Sequence, residues 1–132
     1  MRKRFPCVCC GHLTMSEPPG SYEICLVCFW EDDSSQLRWP TLANGANRVP
    51  LVEAQRNYQA YGACDEQGRQ FVREPHRDEP IQPGWRPIDL TRDSFEDWNS
   101  EERAPWPTPT TALYWWAEDF WRADQAHGKP AS

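Results

Sequence analysis

Aliphatic side chains are scarce in this chain of 132 residues. Leu, Ile, Val and Phe number 7, 3, 5 and 5, under the roughly one-fifth share below which an ordinary aliphatic core is not expected. Long apolar runs are missing too. The longest, Ile24 to Trp30, falls far short of the roughly 20 residues that span a bilayer. No apolar stretch follows the basic Met1-Arg-Lys-Arg start to make a leader of it. Without β-branched runs or sustained helical periodicity, neither a long-helix bundle nor a Rossmann-type sheet is expected. Glycine-rich phosphate loops are absent. Ser16, Ser21 and Ser94 lie in turn-like contexts rather than a nucleophile elbow, and His76 and His127 have no catalytic motif around them. These absences argue against an enzyme. Abundant instead are rings, prolines and sulfur: eight Trp, four Tyr, 13 Pro and six Cys, with a mean hydropathy of −0.85. The combination predicts a soluble, cytoplasmic, aromatic-rich protein that needs a staple to fold.

Charge narrows the partners. Fourteen Lys and Arg stand against twenty Asp and Glu, a net −6. An acidic surface repels phosphate backbones, which disfavours nucleic acid. The candidates for a basic patch are Arg2, Lys3, Arg4, Arg38, Arg48 and Arg56. The Glu31-Asp32-Asp33 turn reads as a cap for the segment after it, or as an ion-pair partner of Arg38, Arg48 or Arg56. An acid–base pair would need a cleft and an orienting group as well.

Leu13 and Met15 alternate with polar residues, as do Tyr22 and Ile24, and Pro18-Pro19-Gly20 lies between the two runs. That pattern predicts a β-hairpin with a cysteine pair at each end. Residues 34–48 read as an irregular connection. Leu51, Ala54, Tyr58 and Tyr61 share one helical face, with Pro50 suited to the helix start and Gly62 to its end. Residues 75–109 hold seven prolines and three tryptophans, a density that blocks helix and central strand alike. This segment is expected to wrap over the domain. A last helix is predicted from Thr110 to about His127, ended by Gly128 and Pro130. Its rings are expected mainly in the core, with Trp115, Trp116 and Trp121 as candidates for contact with a partner or a second copy.

Cys7-Val8-Cys9-Cys10-Gly11 and Cys25-Leu26-Val27-Cys28 form two C-x-x-C pairs separated by fourteen residues. Tetrahedral zinc takes four such soft ligands, two from each tight knuckle. Gly11 suits the first knuckle because the backbone there often takes positive φ; Phe29 in the equivalent place suits the second less well. Only Cys7 with Cys10 reproduces the spacing of Cys25 with Cys28. Cys9 is then a buried thiol beside the ligands, His12 a possible alternate ligand, and Cys64 a small buried hydrophobe. A rubredoxin-like iron site would use the same four sulfurs and stays open as an alternative. Disulfides lack a secretory context, and a redox C-x-x-C lacks its βαβ setting. A site closed by four cysteines leaves no position for water, so it implies stability rather than catalysis.

Several strings agree in order and spacing with a known family. These are Cys7-Val-Cys-Cys-Gly-His-Leu-Thr14, Ser16-Glu-Pro-Pro-Gly-Ser-Tyr-Glu-Ile-Cys-Leu-Val-Cys-Phe-Trp-Glu-Asp-Asp33, Gly45-Ala-Asn47, Glu53-Ala-Gln-Arg-Asn-Tyr58 and Tyr61-Gly-Ala-Cys-Asp65. Over residues 5–75 the chain resembles the cysteine-rich CPCC domain family, small and mostly bacterial proteins named for a Cys-Pro-Cys-Cys motif. Val8 replaces the motif proline, and Leu26 stands where a second proline is common. The resemblance implies zinc at Cys7, Cys10, Cys25 and Cys28, and no particular substrate.

The expected fold is small α+β: a zinc-ribbon-like β-hairpin with two Cys knuckles, one packed amphipathic helix, a Pro-rich wrap and a C-terminal aromatic helix. The expected division is a zinc-binding domain over 1–75, the acidic Pro-rich segment over 76–109 and the Trp-rich helix and tail over 110–132. The expected function is protein–protein interaction through a zinc-stabilised module. The alternatives are an immunity-type inhibitor of a basic bacterial toxin and a nucleic-acid-binding zinc ribbon.

Overall fold

Each cysteine pair turns the chain back on itself, and the arms of the first turn are the strands of the fold. The computed structural model describes residues 3–123. Strand β1 (Phe5–Pro6) enters the first knuckle and β2 (Leu13–Met15) leaves it. They pair antiparallel, Phe5 opposite Met15 and Pro6 opposite Leu13, with an irregularity in register between them. The second knuckle is closed by a bridge between Ile24 and Glu31. The two knuckles share one hydrogen-bond pattern. Cys7 N–H donates to the His12 carbonyl at 2.9 Å and Gly11 N–H to the Cys7 carbonyl at 2.7 Å; Cys25 N–H donates to Trp30 at 2.9 Å and Phe29 N–H to Cys25 at 2.8 Å. A hairpin therefore forms, but not the expected one between residues 13–15 and 22–24. Each run pairs across its own cysteine turn, because that turn closes a shorter loop than the Pro-Pro-Gly segment does.

Gly11 and Phe29 occupy equivalent places and both have positive φ, +84° and +75°. The phenylalanine is strained there, at a cost of order 1 kcal/mol or more, which its stack on Phe71 helps to offset, with ring centroids 5.0 Å apart. Gly11 has no such latitude. A Cβ at this position would lie 2.5 Å from Trp85 Cδ2. Gly11→Ala is expected to lower stability by about 2–3 kcal/mol through strain and displacement of that ring, read as a fall in thermal midpoint.

Helix α1 (Ser34–Arg38) interrupts the stretch expected to be irregular. Five residues are too few to leave a periodic signal, but the acidic turn caps them as expected: Asp33 accepts from Ser35 and Gln36 N–H. The capping reading of the acidic turn thus applies to Asp33, while Asp32 accepts from Gly20 N–H and from Ser21 N–H and Oγ. The Gly45-Ala46-Asn47 string serves the same end. Ala46 N–H donates to Asp33, and Asn47 interlocks with the buried Gln36 and with Glu31. A Cβ on Gly45 would meet Asp33 Oδ2 at 2.6 Å.

Helix α2 (Leu51–Tyr61) follows, with Pro50 at its N-cap and Gly62 as a left-handed C-cap at φ +85°. Its buried residues are Leu51, Val52, Ala54 and Gln55; Tyr58 and Tyr61 are half-buried. The helix docks on both knuckles. Gln55 Nε2 donates to the Val8 carbonyl at 3.0 Å, and just beyond the helix Cys64 N–H donates to Cys28 at 2.8 Å. A 3₁₀ turn spans Gln67–Phe71. No helix among the described residues is long and apolar enough to cross a membrane.

The chain beyond residue 75 is tied to this core by backbone. Leu13 N–H donates to Pro80, Gln82 N–H to Gly11, and Ile88 N–H to Gln55 Oε1, each between 2.8 and 2.9 Å. The expected C-terminal helix is corrected: its described part is one 3₁₀ turn, Thr110–Leu113, followed by turns to residue 123. Its predicted end at His127, Gly128 and Pro130 lies outside the described residues. Leu113, Tyr114 and Trp115 are consecutive and all buried. One helix face cannot bury three consecutive rings or branched side chains, whereas an irregular backbone can.

Arg38 holds this part together. The residue is 2% exposed, and its guanidinium lies 4.7–4.8 Å from the ring centroids of Trp39, Trp106 and Trp121. It donates to Glu96 Oε1 at 2.9 Å and to the Ala104 carbonyl at 2.6 Å, while Ala104 N–H returns a bond to Glu96 Oε2 at 2.8 Å.

Candidate metal centre

Cys7, Cys10, Cys25 and Cys28 converge in the core, and their sulfur atoms all lie within 4.8 Å of one another. Cys7 Sγ is 3.5 Å from Cys28 Sγ, and Cys10 Sγ is 3.9 Å from Cys25 Sγ. Four sulfurs about 2.3 Å from a tetrahedral ion stand about 3.8 Å apart, so these separations fit a metal at the centre. All four residues are at most 1% exposed. The Thr14 hydroxyl adds a contact of 3.2 Å to Cys25 Sγ.

The electrostatics of the four sulfurs suit a cation. Burial pushes the Cys7 and Cys28 thiols well above their ordinary range. Contact with Cys25 raises Cys10, and contacts led by Cys10 hold Cys25 far below its usual value. A bound metal ion deprotonates its thiol ligands outright, so that all four can ionise.

The remaining candidates are placed elsewhere. Cys9 is buried beside the group without belonging to it. His12 is also outside it; its Nδ1 donates to the Glu79 carbonyl at 2.6 Å. Cys64 is buried, which pushes its thiol up. Trp115 is 4% exposed, donates its indole N–H to the Arg86 carbonyl at 3.0 Å, and meets Trp85 and Trp116 edge-on. Trp116 and Trp121 are half-buried and pack against the core. Trp115 therefore has no surface for a partner in this structure, and the more exposed tryptophans are Trp98 and Trp106. Of the basic candidates, Arg38 is buried, Arg4 is paired with Asp78 at 2.9 Å, and Arg2 lies outside the described residues. Sequence reasoning missed Gln36, Gln55, Glu79 and Glu96, and placed Arg38 on the surface rather than in the core. All are polar and buried; Arg38, Gln55 and Glu96 find partners dozens of residues away, whereas Gln36 and Glu79 bond to nearer segments.

A family model described as Cysteine-rich CPCC matches residues 5–79. The chain belongs to the cysteine-rich CPCC family. No curated protein matches the chain. In this CPCC protein the matched segment contains the four-cysteine group, both knuckles and α2, together with the Arg73–Glu79 pair that follows them.

Arg73 grips Glu79 with two bonds, 2.8 and 3.0 Å, and His76 N–H adds a third at 2.7 Å. Arg73 foremost lowers the Glu79 carboxyl from 4.5 to about 2. Because the folded value lies below the unfolded one, the stabilisation is complete above about pH 5 and is lost as pH falls towards 2. Glu79→Gln is expected to melt lower than wild type at pH 7, by about 1–3 kcal/mol. The two midpoints should converge as pH drops from 5 to 2. A constant gap across that range would contradict the assignment.

Proposed function

We propose that this CPCC protein is a zinc-stabilised protein-interaction module of the cytoplasm, with no catalytic activity of its own. The observation that carries this reading is the closed centre: four buried cysteines supply every ligand a tetrahedral ion takes, and no position is left for water or substrate. Thiolate ligands favour zinc among the common divalent ions, and a reducing compartment keeps all six thiols free. The net charge of −6 suits a basic partner.

Element analysis of protein purified under reducing conditions tests the metal half. One zinc per chain is expected, and folded metal-free protein, or iron in its place, would refute it. Cross-linking in the native cell followed by mass spectrometry tests the other half. A specific cross-linked protein is expected, and turnover of any small molecule by the purified protein would count against the reading.

A further inference from the structure

A chain so poor in aliphatic side chains would be expected to bury them, yet Ile24 and Leu26 are 42% and 60% exposed, and Phe71 near them is 57% exposed. Ile24 and Leu26 lie on the second knuckle or its arm, and Phe71 stacks on Phe29 of the same knuckle. Between Ile24, Phe29 and Phe71 lies a cavity of about 220 Å³ with Cys64 on its wall and Glu31 among its polar lining. A second cavity, of about 460 Å³, runs along α2 past Glu53, Asn57, Tyr61 and Glu66. The two cavities adjoin at Arg48, Asp65 and Gln67, which line both, and together they make a surface groove with an apolar end and a polar end.

The charge of the groove selects its occupant. Glu31, Glu53, Asp65 and Glu66 are its carboxylates, and Arg48 is the one guanidinium in its lining. Arg69 stands beside it, 3.1 Å from Glu66 and over the Tyr61 ring at 4.8 Å. Arg48 and Glu53 are exposed and make no ion pair with the described residues. With Glu66 and the Tyr61 ring already engaged by Arg69, Glu31, Glu53 and Asp65 still outnumber Arg48 in the lining.

We infer that this groove binds an extended segment of a partner protein in which a large apolar side chain is accompanied by lysine or arginine. The apolar residue fills the space against Ile24 and Phe71, and the cation sits beside the carboxylates of Glu53 and Asp65. This rests on the interaction-module reading and gives it a place and a partner chemistry. Every lining residue falls within the segment matched by the family model. Because the second knuckle forms one wall, the groove depends on the metal centre being assembled.

The test is a random-peptide display library panned on the metal-loaded full chain. Enriched peptides, made synthetically and labelled, are then titrated by fluorescence anisotropy. The expected result is enrichment of sequences pairing a large apolar residue with lysine or arginine. Phe71→Ala and Glu53→Lys, both on exposed positions, should each weaken binding by about tenfold or more, at unchanged metal content. Leu90→Ala, exposed elsewhere, should leave it unchanged. Enrichment of acidic peptides, or of none, would overturn the inference. So would binding that ignores both substitutions, although that result would leave the interaction-module reading standing. A concentration-dependent dimer abolished by Phe71→Ala would assign the groove to a second copy and overturn it as well. Failure of the underlying reading is seen separately, as folded protein without zinc.

Discussion

Cys7→Ser is expected to cost the protein both its metal and its cooperative fold. Four sulfurs within 4.8 Å of one another form the staple of a chain with few aliphatic residues. Structural zinc binds with an apparent free energy of roughly 10–16 kcal/mol, as large as the whole stability of a typical domain, about 5–15 kcal/mol. Losing one ligand, and leaving a serine hydroxyl among buried sulfurs, removes much of that energy. The expected signature is loss of bound metal together with loss of near-ultraviolet circular dichroism and of a sharp thermal transition. Chelation of the wild type should produce the same state, and metal should reverse it. Cys9→Ser is the control. Cys9 is equally buried but outside the ligand group, so it should keep its metal and lose only the cost of burying a hydroxyl, about 1–3 kcal/mol. Equal metal loss in the two variants would show that the ligand set is wrong.

The second large effect is expected at Arg38→Ala. This change strands Glu96, whose side chain is 7% exposed, and empties the space between Trp39, Trp106 and Trp121. Burial on its own would raise the Glu96 carboxyl, but Ala104 N–H and Arg38 hold it below its ordinary range. Breaking one partner of a buried ion pair costs about 3–5 kcal/mol, and the lost ring contacts add to that. Arg38→Lys should recover little, because an ammonium offers neither the planar fork nor the stacking surface. A double variant, Arg38→Met with Glu96→Leu, should recover much of the loss, since no charge is then left buried unpaired. Urea unfolding of the two single variants and the double one measures the coupling. Additive effects would mean that the pair does not hold residues 96–106 to α1.

Some of this was legible residue by residue. The sulfur spacing of Cys7, Cys10, Cys25 and Cys28 predicts the group that converges, because each pair is local and only one choice of cysteines gives matching knuckles. Helix α2 was legible for the same reason: Leu51 and Ala54 repeat on one face and Gly62 ends it. The arms of the knuckles were not, since alternation in residues 13–15 and 22–24 says that a run is extended but not which run it pairs with. The last segment misled most. Its rings at helical spacing mimic an amphipathic helix, yet Leu113, Tyr114 and Trp115 are all buried on a backbone that abandons helix after one turn.

By itself, then, the sequence determined which residues can hold a metal, where the long helix lies, and that rings must do the work of missing aliphatics. Those properties depend on neighbours a few positions apart. Only the tertiary structure decided that Arg38 belongs to the core, that Gln55 joins the first knuckle to residue 88, that Trp115 is interior, and that Ile24 and Phe71 face outward around one groove. Each of these follows from contacts across tens of residues. A buried arginine and a surface arginine read alike in sequence, and what distinguishes Arg38 is the carboxylate and the three rings that the fold brings to it.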